Sequence, residues 1–173
     1  MIIEIWIKDK YAKNEEADII AKLAHAGAKP AFAKISRLYR VDGDFEKKDF
    51  KKIAEEILID PVTEEYSLAA RKLKGKNLFR PLAVLAAPIA DNAALFRVEI
   101  CLKDSITDVV GESVKETIAD VIDKKPGNVR FGHAYYFSID SERKLKHAVS
   151  EVLINELIHT FRITELLQSS VMQ

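Results

Sequence analysis

One eight-residue pattern occurs twice in this chain, 95 positions apart (97 − 2). Residues 2–9 read IIEIWIKD and residues 97–104 read RVEICLKD. In both copies apolar and polar residues alternate, and the alternation ends in Lys-Asp. Alternation with a period of two predicts a β-strand with one buried face. Because an internal repeat constrains the whole fold, the sequence predicts two copies of one small α+β unit.

Each copy continues with the same order of predicted elements, and the two copies match again near their ends. In the first copy the predicted elements are a helix capped by Asn14, a strand at 35–41, a helix from about Glu46 and a strand at 62–68. In the second copy they are a helix capped by Thr107 or Asp108, a strand at 129–139, a helix from Ser141 and a strand at 157–163. The order in each unit is therefore β-α-β-α-β.

The predicted fold class is α+β, with two repeated units that are each a small, mainly antiparallel sheet with two helices on one face. The predicted boundaries are unit 1 at 1–70, a linker at 71–95, unit 2 at 96–164 and a tail at 165–173. A unit this small buries too little surface to be stable alone. We therefore expect the units to pack as a pseudo-two-fold intramolecular dimer, with the partly apolar linker lying on the protein. The alternative is two independent units on a linker.

Composition argues against several kinds of partner. The chain has 27 Lys plus Arg and 27 Asp plus Glu, so no net charge attracts nucleic acid or anionic lipid. No apolar run approaches the length of a membrane-spanning helix, and the first residues lack the basic segment of a signal peptide. The single cysteine cannot form an internal disulfide. We expect a cytoplasmic protein that binds neither nucleic acid nor membrane.

Side chains with catalytic or metal-binding chemistry are few and scattered. Cys101 is the only thiol, and its place within a predicted strand is typical of a packing residue. The glycines occur singly rather than in a phosphate-binding loop. The histidines lack the spacing of metal ligands on one helix: His25, His133, His147 and His159. We therefore expect no catalytic residues, no cofactor and no metal site of its own.

The start of the second unit resembles a known family. Residues 98–114 are similar to the opening of PurS, the small subunit of phosphoribosylformylglycinamidine synthase. In that family the helix begins with the pattern V-x-D-P-x-G-x-x-V. This chain keeps the aspartate at Asp108, the glycine at Gly111 and the valine at Val114, and it has Val109 in place of the proline.

Two further motifs of the family are divided between the copies. The closing motif L-x-x-N-P-V-I-E-x-Y is kept better in the first copy, at residues 58–66, whereas the second copy has Asn155 followed by Glu156. The strand motif R-x-G-K is partly matched at residues 130–133. The chain thus resembles a tandem duplication of two PurS units.

The resemblance implies an accessory subunit without catalytic residues of its own. Such a subunit would couple a PurL-type synthetase and a PurQ-type glutaminase, so that ammonia passes from glutamine to formylglycinamide ribonucleotide, and it could also self-associate. The partner interface is expected at Thr107, Asp108, Gly111, Arg130 and His133. Substituting Asp108 and Gly111 is expected to weaken assembly and to leave the isolated fold intact. Taken individually, these residues are equally compatible with a helix cap and a tight turn.

Two other functions remain open from the sequence. A regulatory module of tandem α+β units would bind a small molecule between the copies, and the isolated protein would then show saturable ligand binding. A stand-alone enzyme would need a site at the seam between the units, and no convergent nucleophile, base or metal set supports one.

Overall fold

The computed structural model describes residues 1–69 and 93–168 as an antiparallel sheet with helices. The α+β class predicted from the sequence is confirmed. In chain order the elements are β1 Ile2–Ile7, α1 Asp9–His25, β2 Phe32–Asp42, α2 Lys47–Ile53 with a π-helical turn at Ala54–Leu58, β3 Glu64–Ala69, β4 Ala94–Leu102, α3 Val109–Ile122, β5 Asn128–Ile139, α4 Glu142–Val152 and β6 His159–Gln168.

The six strands form one sheet in the order β3-β1-β2-β5-β4-β6, and every neighbouring pair is antiparallel. The two central strands come from different halves of the chain. β2 pairs with β5 from Phe32 opposite Ser138 to Asp42 opposite Asn128. This long seam excludes the alternative of two independent units, because the halves share one hydrogen-bonded sheet.

The helices pack on one face of this sheet, in two hydrophobic clusters that each contain residues from both halves. In the first cluster, Leu23 of α1 packs with Phe137 of β5 and Leu145 of α4. In the second, Ile118 of α3 packs with Ile53 of α2. All five side chains are fully buried, and burying a side chain of this size stabilises a fold by about 1.5–3 kcal/mol. The helices therefore stabilise the seam as well as their own halves.

The opposite face of the sheet, called here the second face, carries a buried charged network. Tyr136 and Ser36 each donate a hydroxyl hydrogen bond of 2.6 Å to Glu4 Oε1. Arg97 forms an ion pair with Glu4 at 3.0 Å and another with Glu99. Because Glu4, Arg97 and Glu99 are at most 4% exposed, removing one partner would leave an uncompensated buried charge, at a cost of about 3–5 kcal/mol.

This network corrects the prediction that the repeated strands have only one buried face. The polar positions of β1 and β4 were expected to face solvent, yet Glu4 is 1% exposed and Glu99 is 4% exposed. Burial and the neighbouring Glu4 carboxylate hold the pKa of Tyr136 well above its usual value, so its hydroxyl stays protonated and donates to Glu4.

Several predicted boundaries also differ from the structure. Helix α1 begins at Asp9, so the prediction of an N-cap at Asn14 is wrong. Strand β4 begins at Ala94, inside the predicted linker, and β6 runs to Gln168, inside the predicted tail. The prediction that the linker lies on the protein concerns residues 70–92, which are outside the described residues, as are residues 169–173. No helix within residues 1–69 and 93–168 is long and apolar enough to cross a membrane.

We expect Gly132→Ala to destabilise the protein, because β5 approaches β4 closely at this position. A Cβ on Gly132 would lie 2.6 Å from the Ile100 carbonyl oxygen and 2.7 Å from Cys101 Sγ. Relieving this overlap should reduce the free energy of unfolding by about 1–3 kcal/mol, as measured by urea denaturation. The control is Gly127→Ala, whose Cβ would meet only the Asp42 carbonyl oxygen at 3.6 Å. Equal stability of the two variants would contradict the prediction.

Candidate partner-binding groove

A groove of about 490 Å³ lies where β4 ends, α3 begins and β5 passes between them. We call it the α3 groove. Its walls are largely apolar, with polar groups at the start of the helix and two imidazoles on the strands. The lining residues are Ile100, Cys101, Leu102, Thr107, Asp108, Val109, Val110, Phe131, Gly132, His133, Tyr135, Leu153 and His159.

Asp108 fixes the start of α3 against β5. It is the N-cap residue, and its Oδ1 accepts a hydrogen bond of 2.8 Å from the Gly111 backbone N–H. Its Oδ2 accepts a second one, of 2.6 Å, from the Phe131 backbone N–H. The side chain is only 5% exposed, so it satisfies two backbone donors that would otherwise be unpaired. The predicted helix cap at Asp108 is confirmed.

Gly111 lets the first turn of α3 sit directly on β5. A Cβ at this position would lie 2.5 Å from the Val129 carbonyl oxygen and 2.8 Å from Asp108 Oδ2. Substitution of Asp108 or Gly111 would therefore disturb the packing of α3. These contacts argue against the expectation that such variants leave the isolated fold intact, so neither residue is suitable for testing partner contacts.

Arg130 orders the chain that follows β4. Its Nη2 donates to the carbonyl oxygens of Leu102, at 2.7 Å, and Lys103, at 3.2 Å. The guanidinium also lies 3.5 Å from the carboxylate of Asp104 and 3.9 Å from that of Asp108. The loop leading into α3 is thus held in place by one side chain of β5.

His133 lies on the wall of the groove between aromatic neighbours. Its ring centroid is 5.0 Å from that of Phe131 and 6.2 Å from that of Tyr135. Burial lowers the pKa of His133, and the Arg37 guanidinium and the His159 imidazole lower it further. A neutral imidazole at neutral pH can donate and accept one hydrogen bond each.

The accessible part of the groove is apolar. Val109, the first residue of α3, is 73% exposed, and Val110 beside it is 44% exposed. Thr107 is also exposed and lines the groove. Exposed apolar side chains on an ordered surface are typical of a protein contact site.

The structure brings together the residues predicted for the partner interface. Thr107, Asp108 and His133 line the groove, whereas Gly111 and Arg130 contact Asp108 behind it. The sequence did not predict Val109 and His159 as part of this groove. The exposure of Val109 follows from its place in the first turn of a helix, and His159 faces His133 only because β6 pairs with β4.

The N-terminal half holds an ion pair at the corresponding place. Arg37 lies directly opposite His133 in the β2–β5 seam, and its Nη2 donates to Glu64 Oε1 at 2.6 Å. Glu64 is 95 positions before His159 (159 − 64). The two halves thus place different chemistry at equivalent positions of the sheet. Within residues 1–69 and 93–168, no group of three or more His, Cys, Asp and Glu side chains is arranged to hold a metal ion.

We expect the stability of the protein to fall as the pH drops below about 6.5, the ordinary pKa of histidine. The pKa of His133 is lower in the folded than in the unfolded state, so the unfolded state binds more protons in this range and is favoured. Urea unfolding between pH 8 and pH 5 measures the effect. His133→Gln should make the fall shallower, and His147→Gln, on the surface of α4, controls for loss of an imidazole. A wild-type profile in His133→Gln would contradict the prediction.

Comparison with known proteins gives one family match. Residues 95–166 match the family model described as PurS: Phosphoribosylformylglycinamidine (FGAM) synthase. No curated protein matches the chain. The matched region runs from β4 to β6 and contains the α3 groove. The match supports a PurS-like unit in the C-terminal part of the chain.

Proposed function

We propose that this chain is a tandem duplication of two PurS-like units, residues 1–70 and 96–164, packed as a pseudo-two-fold intramolecular dimer. We further propose that it is an accessory subunit of FGAM synthase that couples PurL-type synthetase and PurQ-type glutaminase subunits in the cytoplasm. The observation that carries the function is the family match over the C-terminal half. The duplication rests on hydrogen bonds and strand registers that recur along the chain.

The lysine that ends each repeated strand makes the same contact in both halves. Lys8 Nζ donates to the Pro61 carbonyl oxygen at 2.7 Å, and Lys103 Nζ donates to the Glu156 carbonyl oxygen. Donors and acceptors are each 95 positions apart (103 − 8 and 156 − 61). In both halves the contact ties the end of the first strand to the turn before the third strand.

The turn before the third strand contains the same kind of hydrogen bond in both halves. Asp60 Oδ1 accepts a hydrogen bond of 2.9 Å from the Val62 backbone N–H, and Asn155 Oδ1 accepts one of 3.1 Å from the Leu157 backbone N–H. Asp and Asn side chains commonly accept from the backbone two residues ahead. The proline present in one copy and absent from the other therefore does not change the turn.

The register of the seam is what a two-fold axis between Arg37 and His133 would produce. Ile35 pairs with Tyr135, and Tyr39 pairs with Phe131. Adding 96 to the residue number relates Ile35 to Phe131 and Tyr39 to Tyr135. The two-fold axis therefore exchanges the two pairs. Superposing residues 2–69 on residues 97–164 should align all three strands of each half, when the second copy is allowed one extra residue between its first two strands and one fewer between its last two. Failure of any strand to coincide would contradict the duplication.

The coupling role is physically reasonable for this architecture. Ammonia released into neutral water would be protonated and would no longer act as a nucleophile, so two enzymes that exchange it must be held together. A rigid sheet whose helices tie both halves to the seam can hold two partners in a fixed relation. The α3 groove, with exposed valines beside an ordered helix start, provides one contact surface.

We expect Val109→Asp to weaken assembly with the synthetase and glutaminase subunits. An aspartate in the first turn of a helix is favourable, so the fold should be unaffected while the apolar contact is lost. Binding should weaken about tenfold or more, equivalent to about 1.4 kcal/mol, in titrations with ATP and glutamine present. The matched control is Val62→Asp, at a residue 67% exposed in the N-terminal half.

The outcomes separate the subunit role from the assignment of the groove. If wild-type protein neither co-elutes with the two partners nor increases glutamine-dependent amidation of formylglycinamide ribonucleotide, the subunit role is wrong. If it does both, and Val109→Asp behaves like Val62→Asp, the subunit role stands and the contact lies elsewhere.

A further inference from the structure

A second groove, of about 370 Å³, lies on the second face of the sheet beside Glu99. We call it the Glu99 groove. Arg40 of β2 and Arg162 of β6 enter it from opposite sides and converge on one atom. The Nη2 atoms of Arg40 and Arg162 lie 2.7 Å and 3.0 Å from Glu99 Oε2. Thr160 and Cys101 complete its polar lining.

Positive charge exceeds negative charge around this groove. Glu99 is the only carboxylate among its described lining residues, and it forms ion pairs with Arg40, Arg97 and Arg162. Arg97 has a second partner in Glu4. Three guanidiniums therefore face two carboxylates, which leaves one positive charge in excess within a chain whose formal net charge is zero.

The corresponding place in the N-terminal half is less positive. There Glu4 accepts hydrogen bonds from the neutral hydroxyls of Ser36 and Tyr136. By the seam register, the counterpart of Ser36 is Gly132, which has no side chain, and the counterpart of Tyr136 is Arg40. The C-terminal half therefore has no hydroxyl donor at the first position and has a guanidinium at the second, which makes the groove beside Glu99 cationic.

Both arginines keep hydrogen-bonding capacity for a ligand. A guanidinium has five N–H donors, and in the described part of the chain Arg40 and Arg162 each give one nitrogen to Glu99. The side chains are 33% and 65% exposed, so an ion from solvent can reach them. Two guanidiniums held close together suit an anion with several oxygen atoms, because charge-assisted bonds of this kind can be bidentate.

We propose that the Glu99 groove binds a small oxyanion, a phosphate or carboxylate group, between Arg40 and Arg162. The buried Glu99 carboxylate holds the two guanidiniums together and offsets part of their mutual repulsion. The ligand then neutralises the excess positive charge and accepts hydrogen bonds from the unused donors. This site lies on the opposite face from the α3 groove and does not depend on the proposed subunit role.

The test uses the isolated full-length chain and inorganic phosphate at constant ionic strength. We expect saturable shifts of the backbone amide resonances of residues 99–101 and 160–162 in nuclear magnetic resonance titrations. Arg162→Gln should weaken phosphate binding about tenfold or more, because it removes one charge-assisted pair. Arg143→Gln, which removes an exposed arginine from α4, should bind as the wild type does. A parallel titration with acetate distinguishes phosphate from carboxylate as the preferred group.

A second measurement uses the only thiol in the chain. Phosphate bound in the groove should slow alkylation of Cys101, whereas sodium chloride at equal ionic strength should not. The proposal is overturned if the shifts do not saturate, if sodium chloride reproduces them, if Arg162→Gln binds as tightly as wild type, or if Cys101 reacts at the same rate with and without phosphate. None of these results bears on assembly with partner subunits.

Discussion

The antiparallel pairing of β2 with β5 is the interaction on which the rest of this structure depends. It joins two three-stranded halves into one sheet, so that strands which would otherwise be exposed edges become the centre. The helices reinforce it, because α1 packs against α4 and α3 packs against α2 across the seam. Neither half could keep its hydrophobic cluster intact without residues from the other. Stability and the position of Arg40 in the Glu99 groove therefore have the same origin.

The sequence was most informative where structure is set locally. Alternation predicted the first strand of each half, and a cap at Thr107 or Asp108 predicted the start of α3, where the structure has Asp108, because a side-chain cap requires only a spacing of three residues. The start of α1 shows the limit of this reasoning. Asn14 is a good capping residue, yet the helix begins at Asp9. Lys34 of β2 reaches both Asp9, at 2.6 Å, and Glu16, at 3.2 Å, and supports the extra turn from outside the helix.

The second face could not be predicted from the sequence because its partners are distant along the chain. Glu4 and Glu99 occupy the polar positions of alternating strands, which normally face solvent. The partners of Glu4 include Arg97 and Tyr136, which reach it only once the halves have paired. Only part of the α3 groove could be predicted, because some of its residues are also distant along the chain. Its residues near the helix start are close in sequence, whereas His159 arrives through the pairing of β6 with β4.

In the proposed duplication, joining two similar units in one chain removes a constraint that applies to a symmetric dimer. Two identical protomers must place the same side chain at both symmetry-related positions, whereas one chain can differ at each. Here the differences concentrate around the seam: Arg37 faces His133, and Ser36 has Gly132 as its counterpart. The first difference places an ion pair in one half and two imidazoles in the other. The second removes a hydroxyl donor in the C-terminal half, where the cationic Glu99 groove lies. That half also matches the family model, and the N-terminal half contributes the pairing that the shared sheet requires.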